Sequence, residues 1–179
     1  LVVVDIHDYS QPHVLVNLGV PGHTATDVAL NRSKGVLAMA VASPLGGGYI
    51  RFFDVGDPEL DPPVGYGTIP LADDEIFGEP VDIEWQDDRL FVLLNRNGSL
   101  YLLVFENIGG DLQYTIQPIE RGRLSGELTD ASMAVQYGQI AVASGDEYLI
   151  LQPDETGVYR TVYWQAPAES GLAGSVTSI

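Results

Sequence analysis

Most of the residues in this chain that could do chemistry are carboxylates. Asp54, Asp57, Glu59 and Asp61 fall within one turn, Asp73-Asp74-Glu75 within a second and Asp87-Asp88 within a third. Clustered carboxylate oxygens are the hard ligands that Ca²⁺ prefers, so Asp54, Asp57, Glu59 and Asp61 are the candidate calcium ligands. None of the runs has EF-hand spacing, in which Asp or Asn alternate ahead of a Gly and a terminal Glu. Asp is also a residue that tight turns recruit for side-chain-to-backbone bonds, and turn chemistry is the stronger reading of all three clusters. Apart from possible calcium, no cofactor is implied.

A second set, Asp27, Asp82 and Glu84, sits on strand-like segments. Paired carboxylates serve acid–base hydrolysis when both face one cleft. If Asp27 and Asp82 converge within metal-ligand distance, a hydrolase reading gains; if they bond nearby backbone, it loses. The three histidines, His7, His13 and His23, fall in or near turns and lack the further ligands of a closed metal site. The serines of Ser170–Ser178 lack the Gly-x-Ser-x-Gly elbow, and no His follows them. Gly46-Gly47-Gly48 has no Lys-Ser/Thr after it and reads as a hairpin tip, not a phosphate loop. No catalytic residue is assigned.

The elements that must position these groups are strands. Short apolar runs bounded by Gly, Pro, Asp and Asn predict strands at Leu1–Ile6, Val14–Leu18, Thr26–Leu30, Val36–Ala42, Tyr49–Val55, Val64–Ile69 and Val81–Trp85. They continue at Leu90–Leu94, Leu100–Phe105, Leu112–Ile116, Ala131–Val135, Ile140–Ala143, Tyr148–Leu151, Val158–Trp164 and Ser175–Ile179. No segment keeps a 3.6-residue apolar period, and Leu71–Glu79 reads as an elaborated loop. The strand ending of Val3-Val4-Asp5-Ile6 returns as Phe52-Phe53-Asp54-Val55, Val104-Phe105-Glu106-Asn107 and Ile150-Leu151-Gln152-Pro153, at intervals of 49, 52 and 46 residues. A period near fifty built from strands predicts an all-β fold, a β-propeller with four-stranded antiparallel blades. The repeats run 1–48, 49–98, 99–146 and 147–179. The first opens on what reads as the third strand of a blade and the last ends on a first strand, so the expectation is about four blades or an arc of a larger propeller.

Composition narrows the partners. Twenty-five acidic residues against eight basic ones give a net charge of −17, and Lys34 is the only lysine. Such a surface repels nucleic-acid phosphates and anionic membranes. No apolar run approaches the roughly 18 residues of a membrane span. With no cysteine, disulfides and thiolate metal sites are excluded. The start at Leu1, with neither initiator Met nor basic leader, reads as the interior of a longer chain.

The segment from Leu1 to Val16, followed by Pro21-Gly22 and Ala25-Thr26-Asp27-Val28-Ala29-Leu30, resembles the LVIVD repeat, and Ile50 to Gly65 resembles it nearly as well. The third and fourth copies depart from it at Glu106-Asn107-Ile108 and Gln152-Pro153-Asp154. The resemblance implies a propeller of a bacterial or archaeal secreted or cell-surface protein and carries no catalytic residues. The expected function is a non-enzymatic interaction or scaffold module that binds protein or glycan through its loops and packs against the remainder of a larger propeller. The alternatives are a metal-dependent, lactonase-like propeller hydrolase using Asp27, Asp82 and Glu84, and a purely architectural segment of a large surface assembly.

Overall fold

The computed structural model describes residues 2–5, 13–17, 21–55, 64–119, 130–145 and 147–165. They form β1 (Val2–Asp5), β2 (His13–Asn17), β3 (Thr24–Asn31), β4 (Val36–Ala42), β5 (Gly48–Asp54), β6 (Val64–Pro70) and β7 (Glu79–Gln86). The chain continues through β8 (Arg89–Arg96), β9 (Ser99–Glu106), β10 (Gln113–Pro118), β11 (Ser132–Gln136), β12 (Gln139–Ser144), β13 (Glu147–Pro153) and β14 (Tyr159–Gln165). Each of these strands overlaps one of the predicted runs, with ends that differ by at most two residues. The predicted strand Ser175–Ile179 lies outside the described residues, as do His7, Asp57, Glu59 and Asp61. His13 opens β2.

Three sheets, β3-β4-β5-β6, β7-β8-β9-β10 and β11-β12-β13-β14, are antiparallel meanders of four strands, and β1 pairs with β2. Short turns dictate this order. Asn97-Gly98 and Tyr137-Gly138 hold both residues at positive φ (51° and 71°, 52° and 77°), the geometry of tight hairpin turns. The innermost strands β3, β7 and β11 lie beside one another, and the sheets stack face to face as blades. The architecture is an arc of a β-propeller. The repeated sequence ending marks the third strand of a blade, so each sheet begins two strands after its sequence repeat.

Face-to-face stacking explains why the middle strands are apolar without alternation. In β8, Leu90, Val92 and Leu94 pack toward the first blade with Phe52 and Ile50, while Phe91 and Leu93 pack toward the third with Ile140, Val142 and Leu149. β9 divides the same way, Leu103 and Phe105 to one side and Leu100, Leu102 and Val104 to the other. A strand buried on both faces reads as a continuous apolar run. The loop after β6 adds Leu71 and Ile76 to the first seam. Gly48 starts β5 where a Cβ would meet the Val41 carbonyl oxygen at 2.2 Å and Pro80 Cδ at 2.7 Å, so only glycine fits the approach of the two blades there.

Candidate functional site

The carboxylates of the innermost strands meet at the seams between blades. β3 and β7 each carry a bulge just before the acidic residue, with Asp27 opposite Ala40 and Asp82 opposite Leu93. The extra residue re-aims the following side chain, as bulges do. Asp27 Oδ2 accepts a hydrogen bond from the Ile83 amide at 3.0 Å, and Asp82 Oδ2 accepts one from the Met133 amide at 2.5 Å. Each carboxylate therefore takes the amide that follows the equivalent position in the next blade. Ser132, opposite Ala143, holds that position in the third blade.

A second rung lies four residues on. The Asn31 side-chain amide donates to the Asp87 carbonyl at 2.8 Å, and the Gly138 amide donates to Gln86 Oε1 at 3.1 Å. Asn31 is buried, and its Oδ1 accepts from Ser33 Oγ and the Lys34 amide. Across the outer part of the second seam, Gln117 clamps the Tyr159 backbone from both sides. Its Nε2 donates to the Tyr159 carbonyl at 2.7 Å and its Oε1 accepts from the Tyr159 amide at 2.9 Å. Tyr159 also meets Phe91 edge-on, with ring centroids 6.1 Å apart. The aromatic rings serve inter-blade packing here, as they do at Phe52 and Phe105.

The seam also brings like charges together. Burial, a hydrogen bond to the Asp27 carboxylate and the negative charge of Asp27 push the Asp82 carboxyl up to about 8, against the opposing pull of the Met133 amide. Burial and the Asp27 charge raise Glu84 as well, opposed by the Trp85 amide. At neutral pH Asp82 is largely protonated and donates to Asp27, the outcome expected when two carboxyl groups share one site. Hydrogen-bond contact is closer than the roughly 5 Å or more that separates glycosidase carboxylates. Asp27 and Asp82 do converge, yet each also spends an oxygen on backbone. Among the described residues, no group of three or more His, Cys, Asp or Glu side chains is arranged to hold a metal ion.

Of the calcium candidates, Asp54 is described: it ends β5, opposite Val36 and Val64, and is exposed. Elsewhere the acidic turns serve their own backbone. Asp73 Oδ1 accepts from the Glu75 amide at 3.2 Å. Asp154 accepts from the Thr156 amide and hydroxyl, the Val158 amide and Arg160 Nε, and these bonds hold its carboxyl at about 2. Asp88 pairs with Lys34 at 2.8 Å. His23 is exposed and lies edge-on to Tyr49.

Sequence reasoning missed the second rung, the Gln117 clamp and Tyr137. The rung had a signal: Asp27 and Asn31, Asp82 and Gln86, and Ser132 and Gln136 share one offset of four, each amide leading into a hairpin turn. Tyr137 had one too, being a large aromatic at a turn position that costs a non-glycine residue strain (φ 52°). It is 89% exposed. The first-hairpin turns of the three blades, which include Asp87-Asp88 and Tyr137-Gly138, lie at one end of the inner strands, so Tyr137 stands on that face.

No family model matches this chain, and no curated protein matches it. A solved structure of a protein from Lactobacillus plantarum superposes on 84% of the chain with a TM-score of 0.53 and 12% sequence identity. This chain spans 42% of that protein's length. At that identity the likeness is one of fold: the blades lie along an arc also found in a longer protein.

Proposed function

We propose that the chain is a non-enzymatic scaffold and interaction module, a propeller segment of a secreted or cell-surface protein of the LVIVD type that binds protein or glycan through its loops. The observation that carries this reading is the use of the inner-strand carboxylates. Asp27 and Asp82, the groups best placed for chemistry near the axis, are engaged by backbone amides of the adjoining blade. What remains for partners is turn surface, with Tyr137 the most exposed aromatic side chain among the described residues. An aromatic ring with a hydroxyl at its tip suits both glycan stacking and protein contact. The acidic, lysine-poor surface favours partners that are neutral or basic over nucleic acid and anionic membranes.

The test is a glycan and protein-ligand array probed with the wild-type chain and Tyr137→Ala. Specific binding by the wild type that drops at least tenfold in the variant supports the reading. The hydrolase alternative draws on the proton shared by Asp27 and Asp82, so lactone, ester and glycoside panels are run in parallel. Turnover by the wild type that Asp82→Asn abolishes would replace the scaffold reading. Millimolar calcium is expected to leave the melting temperature unchanged, because Asp73, Asp88 and Asp154 of the described acidic turns already pair with amides or cations; a rise that Asp54→Asn removes would favour calcium at Asp54, Asp57, Glu59 and Asp61.

A further inference from the structure

The hairpin tip at Gly46-Gly47 forms one wall of a cleft between the first and second blades. The loop after β6 adds Phe77, and the facing end of the second blade adds Glu79, Asn95 and Asn97. The cleft has a volume of about 240 Å³. β8 runs from the Asp87-Asp88 turn to the Asn97-Gly98 turn, so the cleft lies at the opposite end of the blades from Tyr137.

Glycine keeps its wall bare. A Cβ on Gly47 would meet the Leu71 carbonyl oxygen at 3.0 Å and Phe77 Cε2 at 3.2 Å, and one on Gly46 would come within 3.7 Å of Phe77 Cζ. The edge of the half-buried Phe77 ring therefore borders the turn with no side chain between them. The rest of the lining is polar. Glu79 and Asn95 pair across β7 and β8, and Asn95 Oδ1 accepts from the Gly98 amide at 3.0 Å, which leaves Asn95 Nδ2 as a donor. The Glu79 carboxylate and the exposed Asn97 side-chain amide make no hydrogen bond or ion pair among the described residues.

A few oriented polar groups beside an apolar surface is the general form of a small-ligand site. No Lys or Arg lines the cleft, so an anionic ligand would meet an uncompensated carboxylate. A hydroxyl both donates and accepts, so neighbouring hydroxyls match a carboxylate acceptor set beside amide donors. We propose that this cleft binds one neutral pyranose ring of a glycan. Its hydroxyls donate to Glu79 and accept from Asn95 Nδ2 and the Asn97 amide, and its C–H surface packs on the edge of Phe77. The volume falls below the roughly 300–1,000 Å³ of drug-sized sites, in keeping with a single ring. The inference rests on the reading that the loops bind ligands, but it uses the face opposite Tyr137, so Tyr137→Ala leaves the cleft intact and the two readings fail separately.

NMR titration of the full 179-residue chain with methyl glucoside, methyl galactoside, methyl mannoside and N-acetylglucosamine tests it. The signals followed are the backbone amides of Gly46, Gly47 and Gly98 and the side-chain amides of Asn95 and Asn97. At least one sugar is expected to shift them saturably, with a Kd of about 1–10 mM for so small and open a site. Glu79→Gln should weaken that binding about tenfold, because a charge-assisted bond is lost. Asn97→Gly keeps the positive-φ turn (φ 51°) and should weaken it about fivefold. Glucuronate should bind about fivefold more weakly than the best neutral sugar, because its carboxylate meets Glu79. An unmoved Ile83 amide shows that each variant remains folded, and Tyr137→Ala should leave the titration unchanged. Signals that no sugar moves, or shifts that persist in both Glu79→Gln and Asn97→Gly, overturn the proposal. So does binding that Tyr137→Ala abolishes, which belongs to the other face. Tighter binding of a capped dipeptide of two lysines than of any sugar overturns it too and makes the cleft a basic-peptide site.

Discussion

Replacing Asp82 by Asn separates the hydrogen-bonding role of this carboxyl from the cost of its charge. The amide keeps an oxygen for the Met133 N–H and presents a permanent donor to Asp27, so the seam is conserved while one titration disappears. In the wild type the native value of about 8 lies above the ordinary 3.8. Between those values the folded chain holds a proton that the unfolded chain has released. Stability is therefore fully present below about pH 4 and is lost progressively as pH rises through about 8. At about 1.4 kcal/mol per pH unit the gap sets a ceiling of roughly 6 kcal/mol. Solvent reaching the half-buried seam screens this to about 2–3 kcal/mol. Urea unfolding of both proteins from pH 5 to pH 9.5 is the assay. The advantage of Asp82→Asn is expected to widen by about 2–3 kcal/mol between pH 5 and pH 8.5 and then level off. The many surface carboxylates cancel in the difference, since both proteins carry them. Stability curves that stay parallel across this range would refute the shared-proton reasoning.

The remaining predictions concern the same contacts. Gln117→Ala removes both bonds to the Tyr159 backbone and leaves two polar groups at the seam unpaired, so urea unfolding should register a loss of about 2 kcal/mol. Asp154→Ala should lower the melting temperature at pH 7. Because the native Asp154 value of about 2 lies below 3.8, its contribution is present above about pH 4 and lost as pH falls through about 2. Melting curves of variant and wild type should therefore converge near pH 2. Asn31→Leu keeps the volume of a buried side chain but strands the Lys34 amide and the Asp87 carbonyl, and should cost about 2 kcal/mol in the same unfolding assay.

The blades were legible because their signals are local. Strand length and turn residues sit within short windows, and each copy of the Val3-Val4-Asp5 ending is itself a short segment whose return every fifty residues or so marks the blades. The continuous apolar runs Leu90–Leu94 and Leu100–Phe105 follow directly from burial on two faces. The seam chemistry was only half legible. Asp27 and Asp82 stood out as recurrent acids, but residues 55 apart along the chain meet only when the blades stack, and whether they meet metal, substrate or backbone is decided by that stacking. Gln117 was illegible because its counterpart in the first blade is the apolar Ile69 and because its partner, the Tyr159 backbone, lies 42 residues away and meets it only when the blades stack. Tyr137 was passed over because a turn aromatic lies outside the strand pattern that drew attention to the other rings.

The central claim is that the inner-strand carboxylates are latches between blades. The amides of Ile83 and Met133 test it most directly, because each is bonded to the preceding blade's Asp. Hydrogen exchange should find both protected nearly to the level of global unfolding in the wild type. Asp27→Ala should release Ile83 alone, and Asp82→Ala should release Met133 alone, each by about tenfold or more. Rapid exchange of both amides in the wild type would contradict the account and leave the carboxylates free for another task.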